Sequence, residues 1–274
     1  MLKMYFFDQA PYARYYGNGD CTYIELPDGK HVLIDVTSKE AGKIIAKKLI
    51  DINVRGIDYL VISHLHADHT GGFSELVSLI PVKHVILSGY GFQNVESDVN
   101  FLKLLREKNI PMLYVRMGDL LRFGNVQLQF MFPPKDVKEI SPEQPYKEQE
   151  KNSNIYSLVF KITYGKFSAL FVGDIYKEAE EQLIQIYGNE LGSTFYKIPH
   201  HGNDTSDPRF ALDKVKPQVA VTMCRFCEWE VQKNFSNEGI VVYGPFYDGT
   251  ITMQTDGNML QVYCEKGYRE FLLS

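Results

Sequence analysis

Cysteine is scarce: Cys21, Cys224, Cys227 and Cys264 are the only four in a chain of 274 residues. So few and so scattered, they do not form the disulfide framework of a small secreted domain, and reduced thiols in a cytosolic protein fit them better. Cys224 and Cys227 have C-x-x-C spacing, but neither remaining cysteine supplies the second pair of ligands that a structural zinc site needs. Long apolar runs are lacking too, and no stretch approaches the length of a membrane span. Residues 1–7 carry a short apolar patch that runs straight into Asp8, without the h-region or cleavage site of a secretory signal. The chain is therefore expected to be cytoplasmic, with no membrane association and no protein partner indicated. Nor is there an excess of positive charge: 29 Lys and Arg against 34 Asp and Glu leave a net charge of −5. A broad nucleic-acid-binding surface is not indicated, although a local basic groove remains open.

What is present is the material of a large core, with 45% apolar and 13% aromatic residues. Short β-rich runs alternate with helical ones. Residues 21–26 and 31–36 flank Asp28-Gly29, a D-G turn between two β-branched runs, and predict a hairpin. Apolar spacing predicts helices over 39–51, 72–79, 97–108 and 177–186. Strands are expected over 57–63, 82–88, 112–115, 126–132, 157–164, 167–172 and 218–223, in a run ending at His200, and near Val241, Ile251 and Val262. Two halves that each pair several strands with outer helices predict an α/β fold, a four-layer αββα sandwich, as a single domain over 1–274. Residues 133–153 are the one long polar, proline-punctuated stretch. They are read as an excursion bordering a site rather than a domain boundary.

Chemistry is concentrated in residues 63–72, SHLHADHTGG. His64 and His66 stand two apart at a strand end, where both imidazoles project to one side. Asp68 and His69 follow where the chain turns toward a helix, and Gly71-Gly72 is read as the sharp bend. Three imidazoles and a carboxylate within six residues form a ligand set for borderline divalent ions such as zinc.

The motif His64-x-His66-x-Asp68-His69 resembles the signature of the metallo-β-lactamase superfamily, whose fold is the αββα sandwich. Asp35 in HVLIDV, Asp174 in LFVGD and His200 in KIPHHG fall in the order that superfamily uses. The FFD, LPDGKHVLID, NxxSLV, GD and PHHG elements are more narrowly similar to the soluble hydrolase domain of ComEC-type competence proteins. The family's short D-x-G-x-G-D opening is stretched here to residues 8–20, which adds Tyr12, Arg14, Tyr15 and Tyr16. Where related domains often carry G-H-P, residues 223–229 read MCRFCEW.

The resemblance implies two divalent metal ions, zinc by default and manganese as the alternative. His64 and His66 would hold one ion, Asp68, His69 and His200 the other, and Asp174 would bridge. Asp35 would hydrogen-bond the ligand loop, and Asn154 would fill a gap at the first ion. His84, inside the strand VKHVILS, is read as packing. His201 is expected to be a proton donor to the leaving group, because neighbouring side chains on an extended strand point apart. Asp68 is named with it as catalytic. Tyr15, Tyr16 and Trp229 are candidates for substrate contact, with a surface loop and ordinary packing as the other readings. The implied activity is hydrolysis in which a metal-bound hydroxide attacks a phosphodiester, of a nucleotide or single-stranded nucleic acid. Hydrolysis of a phosphorylcholine-type ester, another small molecule or a lactone remains open, as does a non-catalytic binding module that keeps the fold.

Overall fold

The computed structural model describes residues 1–9, 19–90, 96–137, 143–223 and 229–273, with only the backbone for 96–98 and 229–232. Among the described residues, the first sheet contains β1 (Leu2–Phe6), β2 (Thr22–Glu25), β3 (His31–Ile34), β4 (Ile57–Val61), β5 (Val82–Leu87), β6 (Met112–Tyr114), β14 (Ile251–Thr255), β15 (Met259–Cys264) and β16 (Gly267–Leu272). The second contains β7 (Leu120–Phe123), β8 (Val126–Phe132), β9 (Val159–Tyr164), β10 (Phe167–Phe171), β11 (Phe195–Lys197), β12 (Val219–Val221) and β13 (Val241–Tyr243). Their orders are β16-β15-β14-β1-β2-β3-β4-β5-β6 and β13-β12-β11-β10-β9-β8-β7. The D-G hairpin forms with Thr22 opposite Ile34.

Side-chain alternation along the strands explains the layers. Val32 and Ile34 of β3 face the second sheet, where they join Ala169 and Phe171 of β10 in one buried cluster. Leu33 points the other way, onto Ile45 and Leu49 of α1 (Lys39–Asp51) and onto Phe73. Leu170 likewise leaves the inter-sheet core to pack with Ala179 and Leu183 of α6 (Lys177–Tyr187). The result is helices outside two facing sheets, as the periodicities predict. Each such Leu or Phe, once buried, contributes about 1.5–3 kcal/mol.

The polar run over 133–153 differs from the connection expected of it. Residues Tyr146–Ile155 form a helix, α5, which buries Gln149, Ser153 and Asn154 besides Ile155. Lys, Glu and Gln favour helix, but the buried stripe is polar, so apolar periodicity carries no trace of it. The edge strand β16 is similarly silent: nearly every residue along it is exposed, which removes the period-2 signal.

Helix α6 also buries Glu180, at 2% exposure. Its Oε2 accepts the Asp207 N–H at 2.8 Å, while Oε1 has no hydrogen-bond partner. Burial pushes its pKa up to about 8 from 4.5. A carboxyl raised in the folded state favours folding at low pH, and that contribution declines between about pH 4.5 and 8, by up to ~1.4 kcal/mol per unit. Glu180→Gln is therefore expected to gain stability over wild type as pH rises from 5 to 8 and to hold a constant advantage above. Urea midpoints at pH 5, 7 and 9 measure this; a difference independent of pH would refute it.

Candidate metal centre

The chemistry-bearing residues follow the carboxyl ends of four strands. Asp35 comes directly after β3, His64 after β4, Asp174 after β10 and the His200-His201 pair after β11. β3 and β4 run parallel, as do β10 and β11, so the loops at these ends converge at one end of the sandwich. The two sheets are tied there by Leu158 N–H to the Ser63 carbonyl, 2.8 Å, while within the second sheet Asp174 N–H donates to Ser157 Oγ, 3.2 Å. Gly173 permits this approach: its φ is +54°, and a Cβ would sit 2.8 Å from that of Ser157 and 3.0 Å from that of Ser63. Gly72 serves differently from the bend expected of it. Its φ of −77° is ordinary, but a Cβ would meet the Val36 carbonyl at 2.3 Å and Gly42 Cα at 2.8 Å. It is required by close packing of α1 against the ligand loop.

His69, in the short helix α2 (Ala67–Thr70), is fully buried. Its Nδ1 lies 2.9 Å from Asp35 Oδ2 and its Nε2 lies 3.2 Å from Asp174 Oδ2. Asp35 also accepts hydrogen bonds from Ser63, 2.7 Å from N–H and 2.8 Å from Oγ. His201 Nε2 stands 3.0 Å from Asp68 Oδ2 and 3.4 Å from Asp174 Oδ2. Asp68, His69, Asp174 and His201 thus each offer a ligand atom, all within 4.8 Å of one another. His64 Nε2 lies 3.9 Å from Asp174 Oδ2, and the His66 ring meets that of His64 edge-on at 4.5 Å.

These groups polarise one another. Burial opposes charge on His69, but Asp174, Asp68 and Asp35 override it and hold the pKa well above that of free histidine. His201 is raised to about 10 in the same way, Asp174 and Asp20 outweighing burial. Against its own burial, Asp174 is kept well below the usual carboxylate range by His69 and His201. Burial, reinforced by His69, lowers His64 strongly and His66 to about 4. A divalent cation would take over the charge that the protons on His69 and His201 carry here, which links its binding to their release. The donor set fits such an ion: imidazoles and carboxylates, with His64 Nε2 and Asp174 Oδ1 buried and without hydrogen-bond partners. Asp174 turns Oδ2 to His69 and leaves Oδ1 without a hydrogen-bond partner.

The paired histidines stand the opposite way round from the expectation. His201, not His200, joins the cluster, because neither residue is extended: their φ values are +43° and +56°. The alternation argument for separating them therefore fails. His200 is half-buried, with Nδ1 2.6 Å from Thr205 Oγ1 and its ring stacked on Tyr176 at 5.2 Å. Asn154 donates to the Tyr176 hydroxyl at 3.0 Å, and its Oδ1 is buried without a hydrogen-bond partner. His84 stacks on Tyr59, 5.2 Å away, within the first sheet. Tyr15, Tyr16, Cys224, Cys227 and the side chain of Trp229 lie outside the described residues. Sequence reasoning did not single out Asp20 or Lys197. Asp20 had a signal, as the last residue of the stretched opening motif, and Lys197 as the first of KIPHHG.

Residues 14–190 match the family model of the metallo-beta-lactamase superfamily, and the chain belongs to that superfamily. More narrowly, it is similar to ComE operon protein 3 of Bacillus subtilis, 26% identical over 179 residues, or 65% of this chain and 21% of that protein. It is also similar to Recombination protein 2 of Haemophilus influenzae, 27% identical over 210 residues, covering 75% of this chain and 23% of that one. The match therefore spans less than a quarter of either relative. Among solved structures, the metallo-beta-lactamase fold protein YhfI from Bacillus subtilis aligns with a TM-score of 0.54 at 13% identity, over 89% of this chain and 96% of that one.

His201→Ala is expected to weaken zinc binding at least about tenfold, whereas His200→Ala leaves it unchanged. Competition with a chromogenic chelator reads both. The reverse order would restore the sequence-based assignment of His200.

Proposed function

We propose that the chain is a metal-dependent hydrolase of phosphodiesters, with a nucleotide or a single nucleic-acid strand as substrate. The observation that carries this is the pair of carboxylates, Asp68 and Asp174, gathered with His69 and His201 at one end of the sandwich. When bound, a pair of divalent ions acidifies a water and offsets the charge that develops on the substrate oxygens. Asp68, His69, Asp174 and His201 would hold one ion, and His64 and His66, with Asp174, would hold a second. Zinc suits the imidazoles, and manganese the carboxylates. His200, half-buried beside the cluster and steadied by Thr205, takes over from His201 the part of proton donor to the leaving oxygen.

The substrate would lie beside Asp68, the member of the cluster that a neighbouring cavity reaches. A cavity of about 600 Å³ reaches Asp68 and is lined by Ser38, Lys39, Ser74, Phe101 and Leu104 among others. Phe101 offers a base a ring to stack on and Lys39 offers a phosphate a charge, beside the carboxylates of Glu40 and Asp68. The name of the Haemophilus influenzae relative, a recombination protein, supports nucleic acid as the polymer.

A panel of single-stranded DNA, a dinucleotide, a chromogenic phosphodiester, a phosphorylcholine ester and a lactone tests the reading, alongside elemental analysis for zinc, manganese and iron. Turnover of the phosphodiesters that disappears with chelator and in Asp174→Asn is expected; turnover confined to the lactone or the choline ester would contradict it. Ser74→Trp, which narrows the cavity, is expected to raise KM for the dinucleotide about tenfold or more, consistent with loss of a contact worth about 1.4 kcal/mol. It should leave the metal content as it is. Unchanged KM would remove the cavity from the substrate path.

A further inference from the structure

Lys197 is a lysine with only 3% of its surface exposed, which is costly for an ammonium unless it is fully paired. Its Nζ lies 2.7 Å from Asp20 Oδ2 and donates to the Ile198 carbonyl at 3.0 Å. The other oxygen of Asp20 faces His201 Nδ1 at 3.2 Å. Both of those atoms are buried and neither has a hydrogen-bond partner, so Asp20 meets the ring as an ion-pair contact that leaves each atom's hydrogen-bonding capacity to the other. The far side of the same ring carries Nε2, 3.0 Å from Asp68 Oδ2. Lysine, aspartate and histidine thus form a buried line that ends in the cluster.

The backbone around this line is tied to the same place. Asp20 N–H donates to the Asp68 carbonyl at 3.1 Å, and the Asp20 carbonyl accepts from Thr37 N–H at 2.8 Å. His201 is in the left-handed region at φ +56°, so no strand register sets where its ring points. Thr222 Oγ1 on the His201 carbonyl, 3.1 Å, fixes the main chain, and the ring is met by Asp68 on Nε2 and by Asp20 on Nδ1. Without a cation beside it, the buried Asp20 carboxylate would lack the charge that balances its place there.

We infer that Lys197 is a positioning residue of the metal centre, holding Asp20 so that Asp20 turns the ring of His201 with Nε2 toward Asp68 and Asp174. A histidine whose far nitrogen is gripped by a carboxylate is the arrangement that sets tautomer and direction at metal sites, and losing the grip weakens metal binding about 10–100-fold. The inference rests on the reading of the cluster as a metal centre.

The test uses the full chain and zinc, with two readings: affinity by competition with a chromogenic chelator, and the thermal midpoint of the metal-free protein. Lys197→Met and Asp20→Asn are each expected to weaken zinc binding about 10–100-fold. The double variant should be no weaker than the worse single one, because both break the same line. Lys197→Arg, which keeps the charge, should recover part of the affinity. Lys197→Gln gives the same two readings if the methionine variant does not fold. A lowered midpoint with wild-type zinc affinity would show a purely structural ion pair and overturn the inference. A wild-type chain that binds no divalent ion would overturn the metal reading itself, and this inference with it.

Discussion

A fully buried imidazole held between two carboxylates is the constraint on which the rest of this molecule depends. Asp35 grips His69 from the end of β3 at 2.9 Å, and Asp174 meets it from the end of β10 at 3.2 Å. Each carboxylate comes from a different sheet, so the imidazole is also a pin between the two halves of the sandwich. Taking three ionisable groups out of water is costly, and the arrangement is sustained only because each charge is met by another. That balance leaves a concentration of donors at one end of the fold, which is what a divalent ion requires.

Backbone conformation shows the same concentration. Asp35, Thr37, His200 and His201 all have positive φ values, a region that costs non-glycine residues of the order of 1–3 kcal/mol. Surrounding contacts hold them there: Asp35 N–H bonds the Val61 carbonyl at 2.8 Å, and Thr37 N–H the Asp20 carbonyl at 2.8 Å. The sandwich core supplies the rigidity, and the strand ends carry the strain. Lys197 and Asp20 fit this pattern, since they place a side chain whose own backbone is not regular.

Much of the fold was legible because burial follows period. The helix over Lys39–Asp51 and the strand over Val126–Phe132 begin and end where apolar spacing put them. The motif from His64 to His69 was legible because consecutive positions carry its chemistry. What escaped depends on other physics. The helix at Tyr146–Ile155 buries polar residues, and β16 buries almost nothing, so neither has an apolar signature. His201 rather than His200 stands in the cluster: the choice of His200 rested on the resemblance, and strand alternation cannot say where either ring points on left-handed backbone. The Lys197–Asp20 pair joins residues 177 positions apart, and nothing local to either foretells a partner.

The account stands on the claim that Asp68, His69, Asp174 and His201 surround a divalent ion. A crystal grown with manganese and measured at a wavelength where that ion scatters anomalously tests it directly. The account predicts an anomalous peak among these four side chains, with His69 Nδ1 still on Asp35 and His201 Nδ1 on Asp20. A crystal in which manganese sits elsewhere, or in which His69 and His201 keep their direct contacts to Asp174 with no peak between them, would contradict it.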